Sequence, residues 1–80
     1  MTRATKDAHD YEITENGTGW KFTARLFKWH EDHGTMRRGK LRARVFGDER
    51  SEVERVARLW CDRLDAGHEP NHKTVIARGV

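Results

Sequence analysis

Lys40-Leu41-Arg42-Ala43-Arg44-Val45-Phe46 alternates cation and apolar side chain, and a few residues later the rhythm lengthens to Val53, Val56, Ala57, Trp60 and Leu64. A period of two belongs to a strand with one buried face, and a period near 3.6 to an amphipathic helix. The switch places a strand directly before a helix, so the economical architecture is a sheet with a helix packed across it. Ser51 with Glu54 has capping-box spacing, and Asp48 is a competing cap. Glu54 and Arg58 stand one turn apart on the helix, which Gly67 and then Pro70 bring to an end.

Upstream, Trp20 to Trp29 reads as a strand with Trp20, Phe22, Ala24 and Leu26 on the inner face. Lys21, Thr23, Arg25, Phe27 and Trp29 fall on the other. Rings on both faces near its far end predict either a bulge around Leu26-Phe27 or an aromatic patch outside the core. Asn16-Gly17 marks a hairpin back to a short strand carrying Tyr11 and Ile13. His30 to Gly39 reads as a polar loop, and Lys73 to Arg78, centred on Val75 and Ile76, as an edge strand. The expected fold is α+β, in the order β-β-β-α-β: a single antiparallel sheet of three to four strands with one helix on one face. Its core is expected to hold Val56, Trp60 and Leu64 against Trp20, Phe22, Leu41, Ala43 and Val45.

The 80 residues are 35% hydrophobic and 36% charged, enough for one thin buried layer and one small domain over 1–80. Residues 1–8 lack periodicity and read as a flexible arm. Met1 to Asp10 contains no apolar h-region, and no apolar run approaches the roughly 20 residues of a membrane span. A lone cysteine, Cys61, excludes an internal disulfide and fits a reducing cytoplasm. The chain reads as a complete soluble protein, monomeric or weakly dimeric.

Charge is unevenly spread. The chain has 16 Lys+Arg against 13 Asp+Glu, a formal net charge of +3. Five of those bases, Arg37, Arg38, Lys40, Arg42 and Arg44, fall between His33 and Gly47 with no acid among them, and without them 11 bases face the same 13 acids. The cationic character is therefore local. If the second and third strands pair, Lys21 and Arg25 join Lys40, Arg42 and Arg44 on an outer face, with Trp29 beside them. Such a face suits phosphates or an acidic protein surface, where Trp and Arg are preferred anchors. Its bland alternative is a solvated sheet face partly neutralised by acids such as Glu12.

Signals for catalysis are weak. Ser51 is better explained as a helix cap than as a nucleophile, and Cys61 beside Trp60 as a small buried thiol. His30-Glu31-Asp32-His33, with His68 and His72, lacks the paired ligand spacing of a zinc site and the His-Glu-x-x-His pattern of a metalloprotease. The residues therefore imply no enzyme, no metal and no cofactor, but a binding protein with an anionic partner.

Two resemblances give that partner a class. Gly19-Trp20, the Arg37-Arg38 turn, the cationic strand to Phe46 and the acidic helix start resemble the three-stranded, one-helix arm-binding domain of phage tyrosine integrases. That resemblance implies a sheet laid in a DNA major groove, with Arg25, Arg42 and Arg44 as base readers and Arg37 and Arg38 as phosphate contacts. The long, acidic 30–39 loop and the fourth strand depart from that pattern. In size and charged texture the whole chain resembles the small phage-encoded anti-CRISPR proteins, in particular those acting on type I systems, I-C among them. This second resemblance implies a stoichiometric inhibitor in the cytoplasm of a host bacterium. It would dock on a protein subunit of the surveillance complex and block target DNA binding or nuclease recruitment. No membrane partner is implied.

Overall fold

A computed structural model of the protein describes residues 7–77. Four strands and one helix follow the expected order: β1 (His9–Glu15), β2 (Phe22–Asp32), β3 (Thr35–Gly47), α1 (Arg50–Asp65) and β4 (Thr74–Ile76). They form one sheet in the spatial order β1-β2-β3-β4. The first three strands are antiparallel, whereas β4 pairs parallel to β3 through Arg44–Thr74, Val45–Val75 and Phe46–Ile76. The helix causes this difference. A crossover element of its length carries the chain back along the sheet, so the next strand runs the same way as the one before it.

One face of the sheet carries the core. Ala24, Leu26, Ala43 and Val45 are fully buried against Val53, Ala57, Cys61 and Leu64 of α1, with Ala77 beside them. Small side chains, Ala24, Ala43, Ala57 and Cys61, make up much of this contact. The helix is turned so that Cys61 rather than Trp60 faces the sheet. Trp60 and Val56 are half-buried flank residues, and the Arg63 guanidinium lies 4.9 Å from the Trp60 ring centroid. Trp20, expected in the core, is 40% exposed, because the chain from Asn16 to Lys21 is a loop and β2 begins only at Phe22. Asn16 organises that loop through its side chain, donating to the Trp20 carbonyl (2.7 Å) and the Thr23 hydroxyl (2.6 Å).

Three other expectations are revised. The 30–39 segment is a continuation of the β2–β3 hairpin, which closes at His33-Gly34 with φ of 51° and 80°. Consecutive positive φ values give the twist that suits antiparallel strands, so the turn is the two-residue kind that Asn-Gly usually forms. The helix begins at Arg50 with Glu49 at the cap position and no side-chain cap bond, so neither Ser51 nor Asp48 caps it. Asp48 instead accepts from the Lys21 amide at 3.3 Å. The arm falls outside the described residues for positions 1–6, while Asp7 and Ala8 exchange backbone hydrogen bonds with Trp29. The helix end is as expected. Gly67 takes φ +89°, its amide donates to Leu64, and His68 donates to Arg63, a Schellman closure.

Two polar clasps hold β1 to the helix. His9 is 4% exposed, and both its amide (2.7 Å) and Nδ1 (2.8 Å) contact Asp65 Oδ1. Further along, Tyr11 donates its hydroxyl to Glu54 at 3.2 Å and accepts from Arg58 Nε at 3.0 Å. Partial burial is the largest influence on the Tyr11 phenol and raises its pKa, with the Arg58 hydrogen bond acting against it.

The packing predicts that Leu64→Ala loses about 2–4 kcal/mol, the range for a buried leucine whose cavity does not collapse, measured by urea denaturation. Tyr11 is the single tyrosine, so its titration is read directly from phenolate absorbance. The expected midpoint lies above that of free tyrosine. A raised folded pKa means that the contribution of the neutral phenol is complete below the ordinary tyrosine pKa and lost as pH climbs through the higher folded value. An unshifted midpoint would show that burial does not outweigh the Arg58 hydrogen bond at Tyr11.

Candidate functional site: the open face of the sheet

The face opposite the helix is shaped by two irregularities in β3. Leu26 pairs with Ala43, Phe27 with Leu41 and Trp29 with Arg38, so β3 gains one residue at each of two register shifts. Each extra residue inverts the alternation. A regular strand would present Arg44, Arg42, Lys40 and Arg38 on one face. The bulged strand presents Arg44, Leu41 and Arg38. The second shift is accommodated at Gly39, where a Cβ would lie 2.6 Å from the Lys28 carbonyl oxygen, so no other residue fits without movement.

Leu41 is therefore not a core residue: it lies beside Phe27 on the open face. Arg42 is moved off this face too. Its guanidinium pairs with Glu69 in the α1–β4 loop, and its Nε is buried without a partner among the described residues. Lys40 is exposed and does not border the hollow described below, and Lys21 sits in the β1–β2 loop. Of the expected partner-binding residues, Arg25, Trp29, Arg38 and Arg44 share the open face. Arg37 alternates to the other side and pairs with Asp32 at 3.3 Å.

What remains on the open face is a hollow of about 290 Å³ lined by Glu12, Arg25, Phe27, Arg38, Leu41 and Arg44, with Gly39 at its edge. Phe27 and Leu41 supply its apolar part. Phe27 is only 6% exposed although it faces away from the helix. The Trp29 ring meets it edge-on (centroids 5.0 Å apart, planes at 85°), and the Arg38 guanidinium covers it at 5.2 Å. Trp29 in turn is fixed by its indole N–H, which donates to Asp10 at 3.1 Å. Both readings of the rings at this end of β2 hold together, a bulge and an aromatic cluster outside the core.

The electrostatics are uneven. Arg25 and Arg44 are directly opposed across β2 and β3, and Glu12 is opposed to Arg25 across β1 and β2. Glu12 nevertheless gives its carboxylate to Arg38. Arg25 and Arg44 are left with no ion pair to any described residue, side by side and exposed. Like charges directly opposite each other in a sheet are destabilising. Toward the β1–β2 loop the same face continues through Thr23 and Phe46 to Trp20. Sequence reasoning missed Leu41, Phe46 and Trp20 here, because only the bulges and the loop reveal them.

No three His, Cys, Asp or Glu side chains among the described residues come together as a metal-binding group. No helix among them is long and apolar enough to cross a membrane.

If Arg25 and Arg44 repel each other, Arg44→Gln stabilises the protein, by about 0.2–1 kcal/mol in denaturant titration. Added sulfate should narrow the gap by screening and bridging the pair in the parent protein. A loss of stability in Arg44→Gln would show that the two cations are not in conflict. No protein-family model, curated protein or solved structure matches the chain, so the face is read from its own chemistry.

Proposed function

We propose that the protein is a non-enzymatic docking module. Its open sheet face receives an acidic side chain of a partner protein, and it acts as a stoichiometric inhibitor of the anti-CRISPR kind on a subunit of a type I surveillance complex. The observation that carries the docking face is the unneutralised Arg25–Arg44 pair beside the Phe27–Leu41 hollow. Two planar guanidinium forks beside an apolar surface fit a carboxylate on a short aliphatic stem, because Arg binds carboxylates bidentately while the stem fills the hollow. Binding then relieves the repulsion that the free protein carries. The partner class comes from the resemblance of the chain to the small phage inhibitors.

A protein partner suits the face better than a nucleic acid does. A phosphate track needs cations in series, whereas Arg37, Arg38 and Arg42 are each engaged by an acid of the protein itself. Glu12, on the edge strand β1, also borders the hollow. The rings of Phe27 and Trp29 are committed to each other, to Arg38 and to Asp10, which removes them as stacking platforms for bases. One feature favours the second reading, a DNA-binding module similar to the integrase arm-binding domain. Three antiparallel strands backed by a helix present Arg25 and Arg44 on an open face, as that resemblance implies.

The test is reversal of both cations, Arg25→Glu with Arg44→Glu, in a protein whose unchanged circular dichroism confirms folding. Co-purification with type I surveillance complexes should be lost in the double variant. Arg42→Glu should preserve it, since Arg42 belongs to the α1–β4 side. Duplex DNA should be bound weakly and without sequence preference. Were DNA the target, Arg25, Arg38 and Arg44 neutralising three phosphates would weaken binding about 40-fold between 50 and 200 mM salt, from a slope of about −0.9 per phosphate. Tight, sequence-selective duplex binding with that slope would replace the inhibitor reading by the DNA-binding one.

A further inference from the structure

The two edges of the sheet differ in how they meet solvent. On β1, the amides of His9 and Tyr11 donate to the carboxylates of Asp65 (2.7 Å) and Asp10 (2.8 Å), so part of that edge is already occupied by side chains. On the other side, β4 covers β3 only from Arg44 to Phe46. The loop before it reaches back as far as Arg42 through Glu69. Upstream, Thr35 to Leu41 is paired with β2 along one side, and no backbone hydrogen bond joins its other side to a described residue. An open strand edge is a template for one more strand.

The side chains along this edge restrict what that strand can be. Arg38 projects to the open face and Arg37 to the opposite one, with Lys40 exposed two residues on and no acid from Gly34 to Phe46. Arg37 and Arg38 are engaged by Asp32 and Glu12, so the surplus charge of the edge is carried by Lys40, which has no ion pair to a described residue. A second copy of β3 would set Arg37, Arg38 and Lys40 against their own counterparts, and like charges directly opposed disfavour pairing. An extended segment that sets carboxylates beside Lys40 is complementary.

We propose that the β3 edge from Thr35 to Leu41 takes up an extended acidic segment of a partner protein as a fifth strand. Main-chain hydrogen bonds supply the attachment, and the exposed Lys40 selects for an acid beside it, the division of labour typical of strand addition. This inference is independent of the docking face above. Its occupant lies in the plane of the sheet, whereas Arg25 and Arg44 stand on top of it.

The experiment uses the full chain, labelled with ¹⁵N, and a capped peptide of about six residues alternating Glu or Asp with Val or Thr, a usual strand length. A second peptide of the same sequence is N-methylated at alternate residues, which keeps its charge and removes its main-chain donors. The unmethylated peptide should shift the amide signals of Met36 to Leu41 and slow their hydrogen exchange, and the methylated one should fail to do so. Lys40→Glu, an exposed change that leaves the backbone intact, should weaken binding about tenfold or more through like-charge juxtaposition. Equal binding of both peptides would overturn the proposal, because it would show side-chain attraction without strand addition. Shifts centred on Arg25 and Arg44 instead of Met36 to Leu41 would also overturn it, assigning the peptide to the open face. Failure of the docking-face reading leaves the edge amides free to respond, so the two can fall separately.

Discussion

The close approach of α1 to the sheet governs the rest of the structure. Ala24 and Ala43 on the strands meet Ala57 and Cys61 on the helix, and all four are essentially solvent-free. A helix seated on small residues gains dense packing but leaves no room for rings at the centre of the contact. The large side chains must go elsewhere. Leu26, Val45, Val53 and Leu64 complete the core, Trp60 is placed on its flank, and Phe27, Trp29 and Leu41 collect on the far side of the sheet. An apolar cluster on a face that would otherwise be fully solvated is thus a consequence of how thin the core is.

The same constraint explains the charge arrangement. A regular β3 would have carried a solid stripe of cations and buried Leu41 beneath them. The two bulges exchange Leu41 for Arg42 and Lys40, breaking the stripe into Arg44 and Arg38 with an aliphatic residue between. Acids from β1 and the α1–β4 loop then engage Arg38 and Arg42. The sequence therefore overstates the charge of the face: an acid-free run in the chain is not an acid-free surface in the fold. What survives is narrower and more selective, one opposed arginine pair at the border of a hollow.

How much of this could be read beforehand depended on whether a segment had a buried face. Ala24, Leu26, Ala43 and Val45 alternate because the helix covers them, and Val53, Ala57 and Leu64 recur because the sheet does. Both patterns, and the closure at Gly67, are visible in the residues. The outer half of the β2–β3 hairpin covers nothing, so no hydrophobic alternation marks it, and His33-Gly34 is a turn only in hindsight of its φ values. Bulges leave the sequence pattern intact while inverting its meaning. Leu41 fits a core position by alternation, yet the register shift between the Leu26–Ala43 and Phe27–Leu41 pairs decides its side. Trp20 was misplaced for a related reason: Asn16 holds the loop through its side chain and delays the start of β2.

The doublet Arg37-Arg38 acquires a different significance beside a strand with two inserted residues. Bulges form and dissolve in related sequences as single residues are gained or lost, and each such event rotates everything beyond it to the opposite face. Here a slippage of one residue in one sense would carry Arg38 away from Phe27 and Glu12 but bring Arg37 into its place, whereas the opposite slippage would bring Gly39. The cation over the ring is thus buffered against one of the two single-residue slippages of this hairpin. Leu41 has no such understudy, since its neighbours are Lys40 and Arg42. A slippage in the first sense would therefore keep a cation over the ring while changing the shape of the hollow, letting the module alter what it accepts without altering the sign of what it attracts.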